Sequence, residues 1–371
     1  MYSIILPHVK GNLSRMKTRG RRVRAPGNSV VLSNLGRGCH DGMMRLVRWA
    51  AAFLLVASWA PLSALTLKIA TLAPDGSPWV EAMRQVAWQW ERASAGQVHL
   101  KIYAGGVAGE EADMVRKLRI GQLQGAALTQ LGLGLLEPDI LTISVPFLVR
   151  DEGELDHLLK ASRGRYAGLF ARRGYLLAAL PKAGWVHFFA REPVVRPEDL
   201  RRLKLAVPGD DPLFVEIWRR LGFNAFSLSI NDLLAGLQSG MADACYSPLL
   251  AAASFQWFGA VRYMPSLPVA PVVGGVLLSE AALEEVPAGL LPPLLEAFQE
   301  LERNLDTRME TLEREALAAM QRHGLEVVPV PPEAAAQWRA LGTGGGDLVI
   351  GRAISRESYE WVRGILEAYR H

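Results

Sequence analysis

Two cysteines in 371 residues exclude a fold held together by several disulfides. Cys39 lies in an N-terminal segment predicted to be removed, and the remaining Cys245 cannot form a disulfide or a thiolate metal site alone. The chain also lacks a G-x-S-x-G elbow, an H-E-x-x-H helix, paired C-x-x-C motifs and a Walker loop. Its histidines are scattered without the spacing of metal ligands. The sequence therefore predicts no metal and no cofactor, and it favours a protein that is not an enzyme.

Charges of both signs are present but unevenly distributed. Residues 1–64 carry ten Lys and Arg residues against one acid, so the rest of the chain has a net charge of −5 although the whole chain has +4. The basic part ends in "MMRLVRWAAAFLLVASWAPLSA". This stretch has the basic n-region, the apolar h-region and the small residues before the cleavage site that are typical of a secretory signal. We predict cleavage near Ala64 and a natural start at Met43 or Met44, so that residues 1–42 are an upstream extension.

Long apolar runs are missing as well. The run from Trp49 to Trp59 is about half as long as a membrane-spanning helix, and no later run reaches about 20 residues. This favours a cleaved signal and a soluble periplasmic protein, with an uncleaved signal anchor as the alternative. A basic arm is also typical of nucleic-acid binding. Because no surface of alternating aromatic and basic residues follows it, we predict no nucleic-acid partner.

The mature chain contains alternating strands and helices. "LTLKIATLAP" alternates as a strand does, and the helix after it has Ser77 as its N-cap and Pro78 in its first turn. Two more strands and a helix follow, and the pattern restarts after "WVHFFA". Such alternation indicates parallel α/β sheets, whose ligands bind beyond the carboxyl ends of the strands. We therefore predict two α/β units with a cleft between them.

The C-terminal third contains a long amphipathic segment at 292–323, with apolar residues along one side. At about 1.5 Å per residue, a helix of this length reaches roughly 45 Å, which is enough to brace both units. The segment "GTGGG" at 342–346 is not followed by the Lys-Ser or Lys-Thr pair of a phosphate loop. It is predicted to be a flexible loop.

Polar and aromatic residues cluster where the predicted strands end. Because these ends share one edge of an α/β sheet, they predict a cleft that encloses a small molecule with a few placed polar groups. Structural roles remain open for some of them: Ser77 as a helix cap, Trp79 as a core residue, and Asp210 with Asp211 as acids at a helix N-terminus. The ligand-binding residues predicted from this pattern are Ser77, Trp79, Thr129, Gln130, Trp185, Asp211, Tyr246 and Ser247.

Several stretches along the mature chain resemble one known family. They include "LKIATLAPDGSPWVEAM", "GGVAGEEADMVRKLRIGQLQGAALT", "EDLRRLKLAVPGDDP" and "NDLLAGLQSGMADACYSPL". The chain resembles the periplasmic solute-binding receptors of TRAP transporters, the DctP family. The resemblance implies a two-domain α/β fold of the periplasmic-binding-protein kind, with crossing hinge strands and a long bridging helix. It also implies closure on a small-molecule ligand by hinge motion and delivery of that ligand to membrane permease subunits. The implied domains are 65–185 with 272–312 and 186–271 with 313–371.

The chain departs from this family at a decisive position. Receptors of the family that bind organic acids have an arginine after "LK" and an apolar residue, where it forms a bidentate pair with the substrate carboxylate. Here that position is Ala206, which is a candidate site residue because it lacks the arginine side chain. Tyr246 and Ser247 replace the amide side chain with which the family also contacts its ligand. An enclosed carboxylate without a cation is costly. The sequence therefore predicts a more apolar ligand, enclosed by Trp79, Trp185, Tyr246 and Trp257.

Two other interpretations concern partners and activity. The missing arginine and the stretch "ATLAPDGSPW" are similar to the branch of the family that works with a periplasmic tetratricopeptide-repeat protein, which implies such a partner here. The alternative function is a secreted hydrolase-like enzyme with an α/β cleft. Its one candidate pair is Ser247 as nucleophile and His187 as base, which requires the two side chains to lie close together.

Overall fold

Strands and helices alternate through most of the chain. The structure is a computed structural model that describes residues 64–208 and 212–371; the predicted signal segment, Asp210 and Asp211 lie outside these residues. The first elements are β1 (Leu65–Thr71), α1 (Pro78–Ala93), β2 (Val98–Tyr103), α2 (Glu111–Arg119), β3 (Gly125–Thr129), α3 (Gln130–Gly134), a 3₁₀ helix (Pro138–Ser144), α4 (Glu152–Ala171), β4 (Tyr175–Ala179) and β5 (Lys182–Ala190). The later elements are α5 (Pro197–Arg201), β6 (Lys204–Pro208), α6 (Pro212–Arg220), β7 (Asn224–Leu228), α7 (Leu233–Ser239), β8 (Ala244–Pro248), α8 (Leu249–Ser254), a 3₁₀ helix (Trp257–Gly259), β9 (Tyr263–Pro265), β10 (Pro271–Ser279), α9 (Glu280–Leu283), α10 (Leu291–Arg322), β11 (Glu326–Val328), α11 (Pro332–Val349) and α12 (Arg356–Arg370).

Helix α1 begins where its sequence signals place it. The Ser77 hydroxyl accepts a hydrogen bond from the Val80 backbone N–H (3.4 Å), and Pro78 occupies the first turn, which needs no N–H. The apolar face then buries Met83 and Trp90. The Trp90 indole N–H donates to the Leu294 carbonyl oxygen (2.8 Å), so this helix is fastened to α10 as well as to the sheet.

The strands form a mixed sheet with the order β2-β1-β3-β10-β5-β8-β6-β7. Strand β1 runs parallel to β2 and β3, and β6 runs parallel to β7 and β8. These two parallel sets are the two α/β units predicted from the repeated pattern. Their carboxyl ends are the positions where ligands bind in such sheets.

Two antiparallel strands join the halves of the sheet. Residues 274–278 of β10 pair with β3, whereas Pro271 and Val273 pair with Trp185 and Lys182 of β5. The remainder of β5, Val186 to Ala190, pairs with β8 on the other side. Each of these strands therefore passes from one half to the other, as the predicted crossing hinge strands do.

Helix α10 packs against both halves. Its buried residues Leu294, Phe298 and Leu305 lie in the apolar core around β1 and α1, whereas Met320 lies in a separate core that contains Cys245. At about 1.5 Å per residue its 32 residues extend roughly 48 Å. The bridging role predicted from the apolar stripe is confirmed.

The Gly-rich segment near the C-terminus is helical. Residues 342–346 lie within α11, so the prediction of a flexible loop is wrong. Close packing explains at least one of the glycines, because a Cβ at Gly342 would overlap the Phe147 ring and the Pro146 carbonyl oxygen (3.2 Å). Glycine at this position allows a helix to approach the loop that carries Phe147, at some loss of helix propensity.

Candidate functional site

A cavity of about 180 Å³ lies at the carboxyl ends of β1, β3 and β8, beside the crossing strand β10. Thr71 and Thr129, the last residues of β1 and β3, line it, and so does Pro248 at the end of β8. Its position is the one expected for a ligand in an α/β sheet. It is therefore the candidate ligand site.

Most of the predicted site residues meet at this cavity. The lining contains Ser77, Trp79, Thr129, Gln130, Tyr246, Ser247 and also Trp257. Trp185 and Ala206 do not line it, and Asp211 lies outside the described residues. Three strand ends that are distant in sequence thus contribute side chains to one space.

Ala206 lies in the core of the protein. Its exposed fraction is 0%, and it belongs to an apolar cluster with Phe189, Leu233 and Cys245. Cys245 itself is fully buried, and burial raises the pKa of its thiol to about 12, so the thiol stays protonated near neutral pH. The surroundings of Ala206 contain apolar side chains that a longer polar residue would have to displace.

Trp79 forms one wall of the cavity and is also packed against the core. Its indole lies on Gly274 of β10, where a Cβ would overlap the ring atoms Cζ2 (3.0 Å) and Cζ3 (3.1 Å). The same ring contacts the apolar cluster around Met309 and Leu312 of α10. The two roles considered for this tryptophan, core and ligand contact, are therefore compatible.

Thr129 is held in place by a buried acid that the sequence analysis did not single out. Its backbone N–H and its hydroxyl donate to the two carboxylate oxygens of Glu111, over 2.5 Å and 2.7 Å. The hydroxyl also accepts from the Leu131 N–H (3.2 Å), so it offers a ligand an acceptor at most. Burial raises the pKa of Glu111, while the hydrogen bonds from Thr129 and Gly132 oppose that change.

Ser77 and Ser247 of the lining also have protein partners. Ser77 caps α1, and the Ser247 hydroxyl donates to the Pro248 carbonyl oxygen (3.1 Å). Gln130, which also lines the cavity, contacts Ser144, a residue outside this lining whose hydroxyl donates to the Pro271 carbonyl oxygen (2.6 Å). Part of the hydrogen-bonding capacity of these side chains is therefore used within the protein.

No positive charge lines the cavity within the described part of the chain. Of its described lining residues, none is lysine, arginine or histidine, and Glu111 is the single acid. Nor do residues 64–208 and 212–371 contain a group of three or more His, Cys, Asp or Glu side chains that could hold a metal ion. The described lining is thus mainly apolar and contains no cationic side chain.

Ser247 and His187 are neighbours on adjacent strands. They are direct partners in the antiparallel pairing of β8 with β5, a position in which Cβ atoms lie about 5 Å apart. Nevertheless, Ser247 donates to Pro248, and the His187 Nδ1–H donates to the Pro265 carbonyl oxygen (3.4 Å). Burial lowers the pKa of His187 to about 4. The two side chains thus bind different backbone carbonyls, and among the described residues His187 does not bind the carboxylate that orients a catalytic histidine.

Carboxylates of α10 accept hydrogen bonds from the backbone of hinge strand β5 and of Leu180 just before it. Glu302 accepts from the Leu180 N–H (2.9 Å), Asp306 from the Lys182 N–H (2.7 Å) and Glu313 from the Trp185 N–H (2.9 Å). The Trp185 indole N–H donates to Glu152 of α4 (2.7 Å). Trp185 is therefore a residue of the hinge, connected to two helices.

Glu313 makes the folding stability of the protein depend on pH. Burial raises its pKa to about 7, the Trp185 N–H opposes the shift, and the Glu152 carboxylate adds to it. Between about pH 4.5 and 7 the folded state binds a proton that the unfolded chain does not, so stability falls as pH rises through this window. Asp306, with a pKa raised to about 6 mainly by burial, acts in the same direction at lower pH.

We expect Glu313→Gln to raise the unfolding temperature at about pH 8 and to leave it nearly unchanged near pH 5. The amide oxygen still accepts from the Trp185 N–H, while the buried negative charge is removed. Calorimetry of both proteins across this range measures the difference. The exposed Glu310→Gln on the same helix is the control, and an equal pH slope in natural and Glu313→Gln proteins would contradict the assignment.

The described helices contain no segment long and apolar enough to cross a membrane.

The family is shown by sequence: residues 69–343 match the family described as DctP, bacterial extracellular solute-binding protein, family 7. The chain belongs to this family. A curated relative, a solute-binding protein of Roseobacter denitrificans, is 23% identical over 55% of this chain and 64% of its own. The match to the next, from Chromohalobacter salexigens, spans 51% of that relative, so the chain spans between half and two thirds of the first curated relatives.

Solved structures of this family share the fold. DctP7 of Bordetella pertussis, an extracytoplasmic solute receptor binding pyroglutamic acid, is 21% identical, with a TM-score of 0.74 over 83% of this chain and 100% of that one. The sugar acid binding protein DctPAm of Advenella mimigardefordensis, in complex with galactonate, is 16% identical, with a TM-score of 0.76 over 82% and 98% of the two chains. This likeness confirms the predicted two-domain periplasmic-binding-protein-like fold, whereas the exact domain bounds stay a prediction.

Proposed function

We propose that this DctP-family chain is the extracytoplasmic receptor of a TRAP-type transporter and that it captures a neutral, largely apolar small molecule. The cavity at the strand ends takes the ligand, and closure about β5 and β10 encloses it. The observation that carries the proposal is the lining: Trp79, Tyr246 and Trp257 supply aromatic surface, and no described lining residue is a cation. An anion enclosed there would lose its hydration without gaining a partner.

The ligands of the structural relatives differ from the neutral ligand proposed for this chain. Pyroglutamic acid and galactonate, which those proteins bind, both carry a carboxyl group. In this chain Ala206 takes the place where the family's arginine is expected, and it lies within an apolar core. A ligand without a carboxylate is consistent with both observations.

Partners and location follow from the same proposal. A receptor of this kind acts in the periplasm, after export by the signal predicted within residues 1–64, and hands its ligand to TRAP permease subunits. A tetratricopeptide-repeat protein is a further proposed partner, supported by the resemblance of "ATLAPDGSPW" and by Ala206. Co-purification of such a protein with the tagged receptor from its own host tests this interaction.

The ligand class is tested with a thermal-shift screen of neutral apolar, zwitterionic and carboxylate compounds. A ligand raises the unfolding temperature according to its saturation of the folded state, so neutral apolar compounds are expected to give the largest shifts. Trp79→Ala removes one wall of the cavity and should weaken the best ligand at least about tenfold, or about 1.4 kcal/mol. Trp88→Ala is the matched control, because this tryptophan lies on the same helix and is 57% exposed.

Two results would contradict the proposal. One is a larger shift with succinate or a sugar acid than with any neutral compound. The other is an equal loss of affinity in the Trp79 and Trp88 variants, which would place binding outside the cavity. Hydrolysis of ester substrates that disappears in Ser247→Ala would instead support the enzyme alternative.

A further inference from the structure

A second cavity lies behind the first. It holds about 100 Å³ and is reached past Gln130, Leu131, Val186 and Tyr246, which line both cavities. One layer of side chains therefore separates the two spaces. A change of side-chain rotamer in this layer, without any movement of the sheet, would connect them.

Aromatic rings form much of the wall of the second cavity. Phe188 lies with its ring centroid 5.3 Å from that of Trp338 and 5.6 Å from that of Trp218, and Trp218 lies 5.5 Å from Tyr246. The Trp338 indole N–H donates to the Val195 carbonyl oxygen (2.9 Å), so its polar atom is bound within the protein.

The remaining wall offers little to a polar group. Ser144 and Gln130 stand at the edge and contact each other, and none of the described lining residues is charged. The rest is aliphatic, including Ile217, Val269 and Ala270. A polar or charged part of a ligand would lose hydration there without compensation, whereas a hydrocarbon chain gains from burial.

We propose that the two cavities form one elongated site for an amphiphile, with its hydrocarbon tail in the second cavity and its small neutral head beside Thr129 and Ser247. This inference rests on the proposed function and deepens it, because it names the ligand as a single-chain amphiphile and not a compact apolar molecule. The tail passes the layer formed by Gln130 and Tyr246. The aromatic cluster around Trp218 then encloses its end.

The test is isothermal calorimetry with the linear primary alcohols from hexanol to tetradecanol. Each methylene that enters an apolar wall should raise the affinity about fourfold, and this increase should continue until the second cavity is filled. Ala270→Leu fills part of the second cavity. It should leave hexanol binding within about twofold and weaken the longest bound alcohols about tenfold or more.

Ala251→Leu is the matched control, since Ala251 lines only the first cavity. It should weaken all alcohols, short and long, by a similar factor. If affinity rises with chain length equally in the natural and Ala270→Leu proteins, the tail does not bind in the second cavity. The proposal of a receptor for a neutral apolar ligand would still stand. Absence of binding by every alcohol to the natural protein would also overturn the amphiphile, while the thermal-shift screen with compact neutral compounds tests the proposed function separately.

A second measurement does not depend on how Ala270→Leu folds. An undecanol brominated at its far end quenches tryptophans that it touches, so it should quench fluorescence of the natural protein, and Trp338→Phe should remove part of that quenching. Trp88→Phe, at an exposed position, should change only the total intensity. Equal quenching fractions in the natural and Trp338→Phe proteins would overturn the assignment of the tail.

Discussion

Ala206→Arg is expected to destabilise the protein strongly and not to create a carboxylate receptor. Ala206 is fully buried in β6, paired with Phe226 on one side and Cys245 on the other. Its cluster is apolar, so the guanidinium would be an unpaired charge in the core. Such a charge lowers the free energy of unfolding by about 3–5 kcal/mol, and the added volume lowers it further.

Urea denaturation of the natural protein, Ala206→Arg and Ala206→Val separates these effects. The valine variant adds volume without charge and should lose only about 1–3 kcal/mol. Succinate and pyroglutamate are then added to Ala206→Arg. Recovery of stability with either acid would show that the arginine reaches the cavity and pairs with the ligand, which would contradict the burial argument.

Patterns of local sequence predicted most of the architecture. The cap at Ser77, the repeated strand and helix units, and the apolar stripe of α10 all appear where the sequence placed them. These features depend on neighbouring residues, on periodicity, or on the rule that parallel strands present their carboxyl ends at one edge. The same rule brought Thr129 and Tyr246 to one cavity.

Contacts between distant residues account for what the sequence did not predict. The role of Glu111 depends on Thr129, eighteen positions later, although an acid at the start of a helix is ordinarily read as a response to the helix dipole. The sequence predicted that Gly342 lies in a loop, because its role in the helix depends on the Phe147 ring, which packs against it from a distant part of the chain. Trp185 was predicted to touch ligand because it is aromatic and lies at the crossover between the two units; its two N–H groups bind acids of α4 and α10, a role that the sequence did not indicate.

The second substitution with a large expected effect on stability is at Gly184, in hinge strand β5. This residue of β5 has φ near 93°, in the region that favours glycine, and a Cβ there would overlap the Glu313 carboxylate. Its neighbours Lys182 and Trp185 donate their backbone N–H groups to Asp306 and Glu313. Glycine thus lets the hinge strand turn toward α10 closely enough for these hydrogen bonds.

Gly184→Ala is therefore expected to lower the free energy of unfolding by about 2–5 kcal/mol, from backbone strain together with the contact to Glu313. A double-mutant cycle with Glu313→Ala separates the two causes, because in that background the strain of about 1–3 kcal/mol remains and the overlap is gone. Urea denaturation of the four proteins measures both. Gly164→Ala, at an exposed position in α4 with no atom near the new methyl group, is the control and should raise stability by about 1 kcal/mol. An equal loss from Gly184→Ala with and without the Glu313 carboxylate would mean that backbone conformation alone requires glycine at this hinge.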